Sequence, residues 1–333
     1  MNEPTLRQIF LRRKSSAEKP RPFRAPRKRK VSLPAAVFEF HPEYVLGARL
    51  SRSSRKVSSV ALGDFEAGAL SPFLGRPNLQ RPEEVARRVL AVANVLGSEK
   101  GPFGLLLPDG AVRVSILDFA TLPANHKEQE SLIRWKMKPL LPFPVEEARL
   151  SFEIAEKEPE GLAAVVMAVR NSILAEYEAT LEALNGEVNL VLPTSAALLP
   201  LLDEDAQDGE LLLNITPTHL TAIVVKGRQI RLWRNQVMSG KSSGEGLAAV
   251  SEEAVRTLAA SHDHLNLVVS RVCVCSCPRV PDSWLQELGQ RLSREVKDLS
   301  PSPYSAGPQL TDEEGQILRE FGATVCGLVA NAS

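Results

Sequence analysis

The chain has 333 residues, of which 44% are hydrophobic and 24% charged, a composition typical of a globular protein with a sizeable core. No apolar run approaches the roughly 20 residues of a membrane-spanning helix, and the first residues lack the apolar stretch of a secretory signal, so we expect a cytoplasmic protein. The net charge is zero, but residues 1–30 hold eleven Lys/Arg and two Glu. A basic segment of net charge +9 therefore precedes a body of net charge −9.

The first half of the chain changes character after the basic segment. Residues 1–35 are rich in Pro, Arg and Lys, which predicts a disordered arm. Runs of alternating polar and apolar residues, and continuous apolar runs, then predict strands at 44–50, 56–65, 103–108 and 111–119. One helix is predicted between the second and third of these strands. The last two of these strands are predicted to pair as a hairpin across Asp109-Gly110. An amphipathic helix (126–141), an edge strand, a buried strand (162–170), a second helix and a short strand (189–194) follow.

The second half opens on three strands within 210–240 and continues with a helix, a strand, a helix that reaches Val296 and a single closing helix over 315–330. Residues 45–62 and 211–227 read as two copies of one strand–turn–strand unit. This alignment places Arg49 and Ser51 opposite Asn214 and Thr216. A duplicated α/β lobe in which each copy begins with a hairpin is the plan of the actin-like fold.

Two longer segments carry a resemblance to a known family. They are ESLIRWKMKPLLPFPVEEARLSFEI (130–154) and VVMAVRNSILAEYEATLEALNGEVNLVLPTSAAL (165–198). The chain resembles the PilM-like family of actin-like type IV pilus assembly proteins, to which the cytoplasmic GspL domains of type II secretion are related. The resemblance implies an α/β, ribonuclease H-like duplicated fold with a first lobe (36–198) that holds an inserted α+β subdomain (about 112–187). It implies a second lobe (199–333) whose C-terminal helix packs back on the core.

The nucleotide hairpins of that family are altered in this sequence. The family's first hairpin reads G-x-D-I-G-S-S-S-x-K and its second D-x-G, because aspartates hold the magnesium shell and small residues let backbone N–H groups approach the phosphates. Arg49 and Asn214 stand at the two aspartates, and Ser51 and Thr216 at the two glycines. The sequence therefore predicts degenerate hairpins, no catalytic residue, no metal and no cofactor. The degenerate positions are Arg49, Ser51, Ser53, Ser54, Asn214 and Thr216. ATP with Mg²⁺, or a phosphate held by Arg49, Arg52 and Arg55 without metal, stays open as the alternative.

The resemblance also implies a partner. Members of the family bind the N-terminal cytoplasmic tail of a single-span inner-membrane protein, in a groove between the core lobe and the inserted subdomain. Trp135, Leu141, Phe143 and Pro144 offer apolar surface for an extended peptide, and packing inside the insert is the alternative for all four. The expected function is a non-catalytic scaffold of a type IV pilus or type II secretion-like assembly platform, cytoplasmic and peripheral to the inner membrane. The alternative is an actin-like ATP-binding protein or ATPase with an altered site.

Other features have simpler interpretations. The basic arm can contact an anionic membrane surface or nucleic acid, or remain a solvated tail, and a homo-oligomer or ring stays open. Cys273, Cys275 and Cys277 alternate along one predicted strand, which favours buried thiols over a metal site. His262 and His264 lie where a helix meets a strand, and we interpret them as solvated.

Overall fold

The structure is a computed structural model that describes residues 33–51, 54–97, 101–156, 161–184, 186–238, 243–299 and 306–331. Residues 1–32 of the predicted arm, together with Arg52 and Ser53, lie outside the described residues. Within the described part of the chain, no helix is long and apolar enough to cross a membrane.

The first lobe is built on a five-stranded sheet. Its strands are β1 (Ala36–Phe40), β2 (Tyr44–Ser51), β3 (Lys56–Asp64), β4 (Phe103–Leu107) and β8 (Val188–Pro193). Their order is β3-β2-β1-β4-β8, in which β1, β2 and β3 are antiparallel and β4 and β8 run parallel to β1. All residues of β1 and β4 are buried because helices cover both faces of this sheet.

The second lobe repeats this sheet. Its strands are β9 (Gly209–Ile215), β10 (His219–Lys226), β11 (Gln229–Val237), β12 (Val269–Ser276) and β13 (Glu295–Asp298), in the order β11-β10-β9-β12-β13. The antiparallel and parallel pairings match those of the first sheet strand for strand. The duplicated α/β architecture predicted from the sequence is therefore confirmed.

A third, smaller sheet lies between β4 and β8 in the chain. Its strands are β5 (Arg113–Phe119), β6 (Ala148–Glu156) and β7 (Leu162–Arg170), antiparallel in the order β5-β7-β6. Helix α2 (His126–Met137) packs on it through Ile133 and Met137. These elements fall within the predicted insert, residues 112–187, and we call them the insert below.

The remaining helices cover the two large sheets. They are α1 (Pro82–Leu96), α3 (Asn171–Ala179), α4 (Thr194–Leu198), α5 (Ser243–Leu265), α6 (Asp282–Leu292), α7 (Asp312–Phe321) and α8 (Ala323–Asn331). Helix α1 stops at Gly97, whose left-handed φ of 60° suits a glycine C-cap. At the end of the chain, Val325 and Leu328 of α8 pack with Val37 and Leu46 of the first sheet.

Three predictions about single elements are wrong. Strands β4 and β5 do not form a hairpin across Asp109-Gly110, because β4 pairs in parallel between β1 and β8 while β5 belongs to the insert. The predicted helix that reached Val296 ends at Leu292, and residues 295–298 form β13 alongside β12. The single closing helix is two helices, α7 and α8, which meet at Gly322.

The internal repeat is also displaced by one strand from its predicted position. The sequence pattern does not predict β1 and therefore aligns β2–β3 with β9–β10. By sheet order, β1–β2 corresponds to β9–β10. Glu39 pairs with Leu46 as Asn214 pairs with Thr221, and His41 bonds Tyr44 as Thr216 bonds His219. Glu39-Phe40-His41-Pro42 is therefore the first-lobe counterpart of Asn214-Ile215-Thr216-Pro217.

One carboxylate attaches α7 to the first lobe. The Glu314 carboxylate accepts hydrogen bonds from Ser59 Oγ at 2.6 Å and Val60 N at 3.2 Å, and its other oxygen accepts from Thr311 N at 2.9 Å. Burial raises the pKa of the Glu314 carboxyl, but the bonds from Ser59, Thr311 and Val60 together lower it below its usual value.

We expect Glu314→Gln to lower the free energy of unfolding by about 1 kcal/mol at pH 7, because charge-assisted hydrogen bonds are the stronger ones. The lowered pKa means that the folded state favours the ionised form. The contribution of Glu314 to the free energy of unfolding is therefore complete above the unfolded-state pKa of about 4.3. It is lost as the pH falls through the folded-state pKa. Urea unfolding of both proteins between pH 7 and pH 3 measures this, and the gap between the two should close at the acid end. A gap that stays constant over this range would contradict the assignment.

Candidate functional site

Two hairpin turns face each other between the lobes. Residues 41–43 join β1 to β2, and residues 216–218 join β9 to β10, both at the carboxyl ends of the parallel strands. In open α/β sheets this end is where ligands bind. His41, Asn214, Thr216 and His219 line the space between the turns.

The second hairpin uses its polar groups on its own turn and on the first lobe. Asn214 Nδ2 donates to Ser195 Oγ of α4 at 2.8 Å. Thr216 N and Thr216 Oγ1 both donate to His219 O, and His219 N donates to Thr216 Oγ1. Pro217 has no N–H. This turn therefore presents few donors to a phosphate.

The first hairpin holds a buried carboxylate that sequence reasoning missed. Glu39 is 1% exposed, bonds His41 Nε2 at 2.8 Å and accepts from Thr324 Oγ1 of α8. His41 stacks on Tyr44, whose hydroxyl lies 2.6 Å from Cys277 Sγ. Burial raises the pKa of Tyr44 and raises the pKa of Cys277 to about 12. The repeated proline at positions 42 and 217 was the signal that could have located this hairpin.

Asp109, two residues after the end of β4, joins the two lobes. Its Oδ1 accepts from Ser195 N at 3.0 Å, and its Oδ2 accepts from Thr221 Oγ1 of β10 at 2.6 Å and from Ser195 Oγ. The carboxylate is 8% exposed. The ring of His219 packs against Gly110, and burial lowers the pKa of His219 although the Asp109 charge opposes this. A buried polar network thus fills the middle of the cleft.

Each of the two hairpins has one buried side chain that is hydrogen-bonded to a helix from elsewhere in the chain. Asn214 of the second lobe is held by Ser195 of α4, which ends the first lobe, and Glu39 of the first lobe is held by Thr324 of α8, which ends the chain. Helices α4 and α8 also pack on each other. The side chains at the two aspartate positions of an actin-like site are therefore engaged with the protein itself.

These residues do not fit a magnesium nucleotide. The cavity between the turns is about 20 Å³, room for about one water molecule, whereas pockets for ligands of nucleotide size span about 300–1,000 Å³. Glu39 is occupied by His41 and Thr324, and Asn214 is neutral. Among the residues that the structure describes, no group of three His, Cys, Asp or Glu side chains could hold a metal ion.

The five predicted hairpin positions that the structure describes do not lie together; the sixth, Ser53, lies outside the described residues. Asn214 and Thr216 line the cleft. Arg49 and Ser51 lie at the other end of β2, beside the start of β1, ~13 Å from the cleft at 3.3 Å per residue. There Arg49 Nε donates to Ser58 Oγ, and Ser54 N donates to Ser51 Oγ. Their predicted placement opposite Asn214 and Thr216 is wrong because the repeat is displaced by one strand.

A second concave surface lies between the first lobe and the insert. It has a volume of about 90 Å³ and is lined mainly by apolar side chains such as Leu107, Met167 and Val191. Its charged and polar members are Arg149, Ser151, Glu178 and Asn189. We call this surface the groove. Its first-lobe wall comes from β4 and β8, its insert wall comes from β6 and β7, and α3 contributes Leu174 and Glu178.

The four predicted partner residues lie outside the lining of the groove. Leu141 and Phe143 are buried in the core of the insert with Ile133 and Met137. Pro144 is exposed, and Trp135 is 69% exposed on the face of α2 opposite Ile133. Their part in partner binding stays a prediction.

Comparison with known proteins rests on structure, since no family model and no curated protein matches the sequence. A structure titled "PilM-PilN type IV pilus biogenesis complex" aligns with a TM-score of 0.73 and 17% identity over 91% of this chain and 98% of that one. The chain has the actin-like fold. A Bacteroides thetaiotaomicron protein with an actin-like ATPase fold and unknown function aligns with a TM-score of 0.52 and 8% identity, over 90% of this chain and 96% of that one. The predicted fold class and the PilM-like resemblance are thus confirmed at the level of the fold.

Proposed function

We propose that this protein is a non-catalytic scaffold of a type IV pilus or related secretion platform. It binds the N-terminal cytoplasmic tail of a single-span inner-membrane protein. The observation that carries the proposal is the contrast between the two concave surfaces. The cleft between the hairpins is filled by the protein's own side chains, while the groove between first lobe and insert is open and lined mainly by apolar side chains. The similarity to the PilM–PilN complex supports a membrane assembly partner of that kind.

The groove suits an extended peptide. β8 is the last strand of the first sheet, and β6 is the last strand of the insert sheet. Unpaired strand edges accept an added extended segment through main-chain hydrogen bonds, while apolar pockets between them take its side chains. A volume of about 90 Å³ accommodates one or two aliphatic side chains rather than a small-molecule cofactor.

The proposal predicts that filling the groove abolishes tail binding. Ser151 is half-buried and lines the groove, so Ser151→Trp places a large ring where the peptide would lie. We expect affinity for a synthetic peptide of the organism's PilN-type tail, measured by isothermal titration calorimetry, to fall at least tenfold.

Ser131→Trp is the matched control, because Ser131 is exposed on α2 outside the groove. It should bind as the unchanged protein does. The melting temperature of each variant shows whether it folds. If the unchanged protein fails to bind the tail, or Ser151→Trp binds equally well, the proposed function is wrong.

A second test concerns the filled cleft. A ligand at a hundred times its dissociation constant stabilises a protein by about 2.7 kcal/mol. We therefore expect that 5 mM ATP with Mg²⁺ leaves the melting temperature unchanged within about 1 °C, whereas an actin-like ATPase with micromolar affinity would be stabilised by several degrees. A saturable upward shift would instead favour the ATP-binding alternative.

The proposal also gives the protein a location at the inner membrane and the basic arm a role in lipid contact. A tail-binding scaffold lies at the cytoplasmic side of the inner membrane, and the net charge of +9 over residues 1–30 suits contact with anionic lipids. We propose this contact as an auxiliary to tail binding.

A further inference from the structure

Strand β6 carries two charged side chains on the face that forms part of the insert wall of the groove. Phe152 and Ile154 of this strand pack in the core of the insert. Because successive side chains of a strand point to opposite faces, Arg149, Ser151 and Glu153 share the other face. Arg149 and Ser151 line the groove. Glu153 follows Ser151 on that face, ~7 Å further along the strand at 3.3 Å per residue.

The Glu153 side chain is half-buried and unpaired. Among the residues that the structure describes, no hydrogen bond or ion pair reaches Glu153 or Arg149. Val165 lies opposite Glu153 in β7, and it packs with Ala196 and Trp233 around one small apolar cluster. Burial raises the pKa of the Glu153 carboxyl to about 7. A carboxylate that has lost water without gaining a partner is unfavourable, and a cation beside it would remove much of this penalty.

Arg149 does not supply that cation. It lies four residues away, ~13 Å along β6 at 3.3 Å per residue, which exceeds the screening length of about 8 Å at physiological ionic strength. The Arg149 side chain is also exposed, and burial is the one cause of the raised pKa of Glu153. Glu153 is therefore a half-buried acid beside the groove that lacks a counter-charge.

We propose that Glu153 is a specificity-determining residue of the peptide site, and that its carboxylate pairs with a Lys or Arg side chain of an extended peptide whose apolar residues lie in the groove. The inference rests on the proposed function in taking the groove as a peptide site. Strand β6 is the outermost strand of the insert sheet, so a chain laid along it passes Ser151 and Glu153 in turn. Since one face of an extended chain repeats every two residues, the basic residue should lie two or four positions from an apolar residue in the groove.

A displayed library of random 12-residue peptides tests this without knowledge of the partner. The unchanged protein is used for selection at pH 8, and only peptides that lose binding to Ser151→Trp are kept. We expect these peptides to share apolar residues and one Lys or Arg at a constant position. Replacing that residue by Gln should weaken binding about tenfold to the unchanged protein and less than twofold to Glu153→Gln. Selection on Glu153→Lys should instead yield Asp or Glu at that position.

The pH dependence of binding separates a charge pair from a structural role. Glu153 must lose its proton to pair with a cation, and its pKa in the free protein is about 7. The affinity of the selected peptides should therefore rise about tenfold from pH 6 to pH 8 for the unchanged protein and stay constant for Glu153→Gln. Glu128→Gln is the matched control, because Glu128 is exposed on α2 outside the groove. It should follow the unchanged protein at both pH values.

Glu153→Gln should melt no lower than the unchanged protein, since it removes an unpaired, half-buried carboxyl. Groove-dependent peptides without a shared basic residue, an equal requirement for it in Glu153→Gln, an affinity that does not change with pH, or the absence of groove-dependent peptides would each overturn the inference. Failure of the PilN-type tail to bind, with the preference for a basic residue intact, would count against the proposed function and leave this inference standing.

Discussion

Gly327→Ala should lower the free energy of unfolding by about 3 kcal/mol or more, an effect at the upper end for overpacking. Gly327 lies in α8 where this helix crosses α4. A Cβ atom at this position would fall far inside the contact distance of the Ala197 carbonyl oxygen, and close to Leu198 Cα. Because the clash is with backbone, no rotamer relieves it and the two helices must separate. Urea unfolding measures the loss.

Gly246→Ala is the matched control for this change. Gly246 lies in α5, and nothing would lie within 4 Å of an added Cβ. Alanine should therefore raise the free energy of unfolding by about 0.5–1 kcal/mol, through its higher helix propensity and the restricted unfolded chain. If the two variants lose similar stability, close packing of α4 and α8 is not what requires glycine at 327.

The second large effect is expected at Asp109. Asp109→Ala removes the acceptor of Ser195 N, Ser195 Oγ and Thr221 Oγ1 and leaves these buried donors without a partner. We expect the free energy of unfolding to fall by about 3 kcal/mol. The link between the lobes should also loosen, so that the Ser195 amide exchanges its hydrogen with solvent much faster.

Asp208→Ala provides the reference for this prediction, since Asp208 is exposed and surface substitutions usually change stability by less than about 0.5 kcal/mol. Hydrogen exchange resolved to individual peptides separates a general loss of stability from a local loosening of the link between the lobes. Unchanged exchange of the segments around Ser195 and Thr221 in Asp109→Ala would show that the carboxylate does not hold the lobes together.

Much of the architecture was readable from local patterns. The helical spacing of Val85, Val89 and Val92 and the apolar runs of β7, β9 and β10 identified their elements correctly. Strand β1 escaped because its five residues, AVFEF, are bounded by Pro34 and Pro42 and include a glutamate. Only the interior of the folded protein, where Thr324 and His41 satisfy that glutamate, makes a charged residue acceptable in a central strand.

The missing strand had a consequence for the candidate site. With β1 absent, the hairpin 44–65 was matched to 211–227, and Arg49 was placed in the cleft. The match of Asn214 and Thr216 to the cleft did not depend on this error, because β9 and β10 were identified correctly. The sequence predicts that Leu141 and Phe143 contribute to a binding surface, whereas both lie in the core of the insert. An apolar residue type alone does not show whether the side chain faces the core or a partner.

The sequence by itself determined that this chain is a duplicated α/β protein, because periodicity and turn residues are local properties of the chain. Only the tertiary structure decided which hairpins face each other, that Asp109 and Ser195 fill the space between them, and that β8 and the insert together line the groove. Asp109 meets Thr221 across 112 residues, and the pairing of β8 with β4 shifts register at Asn189. Such contacts depend on sheet order and strand register. One set of local patterns is compatible with many orders and registers, and the packing of the whole chain selects among them.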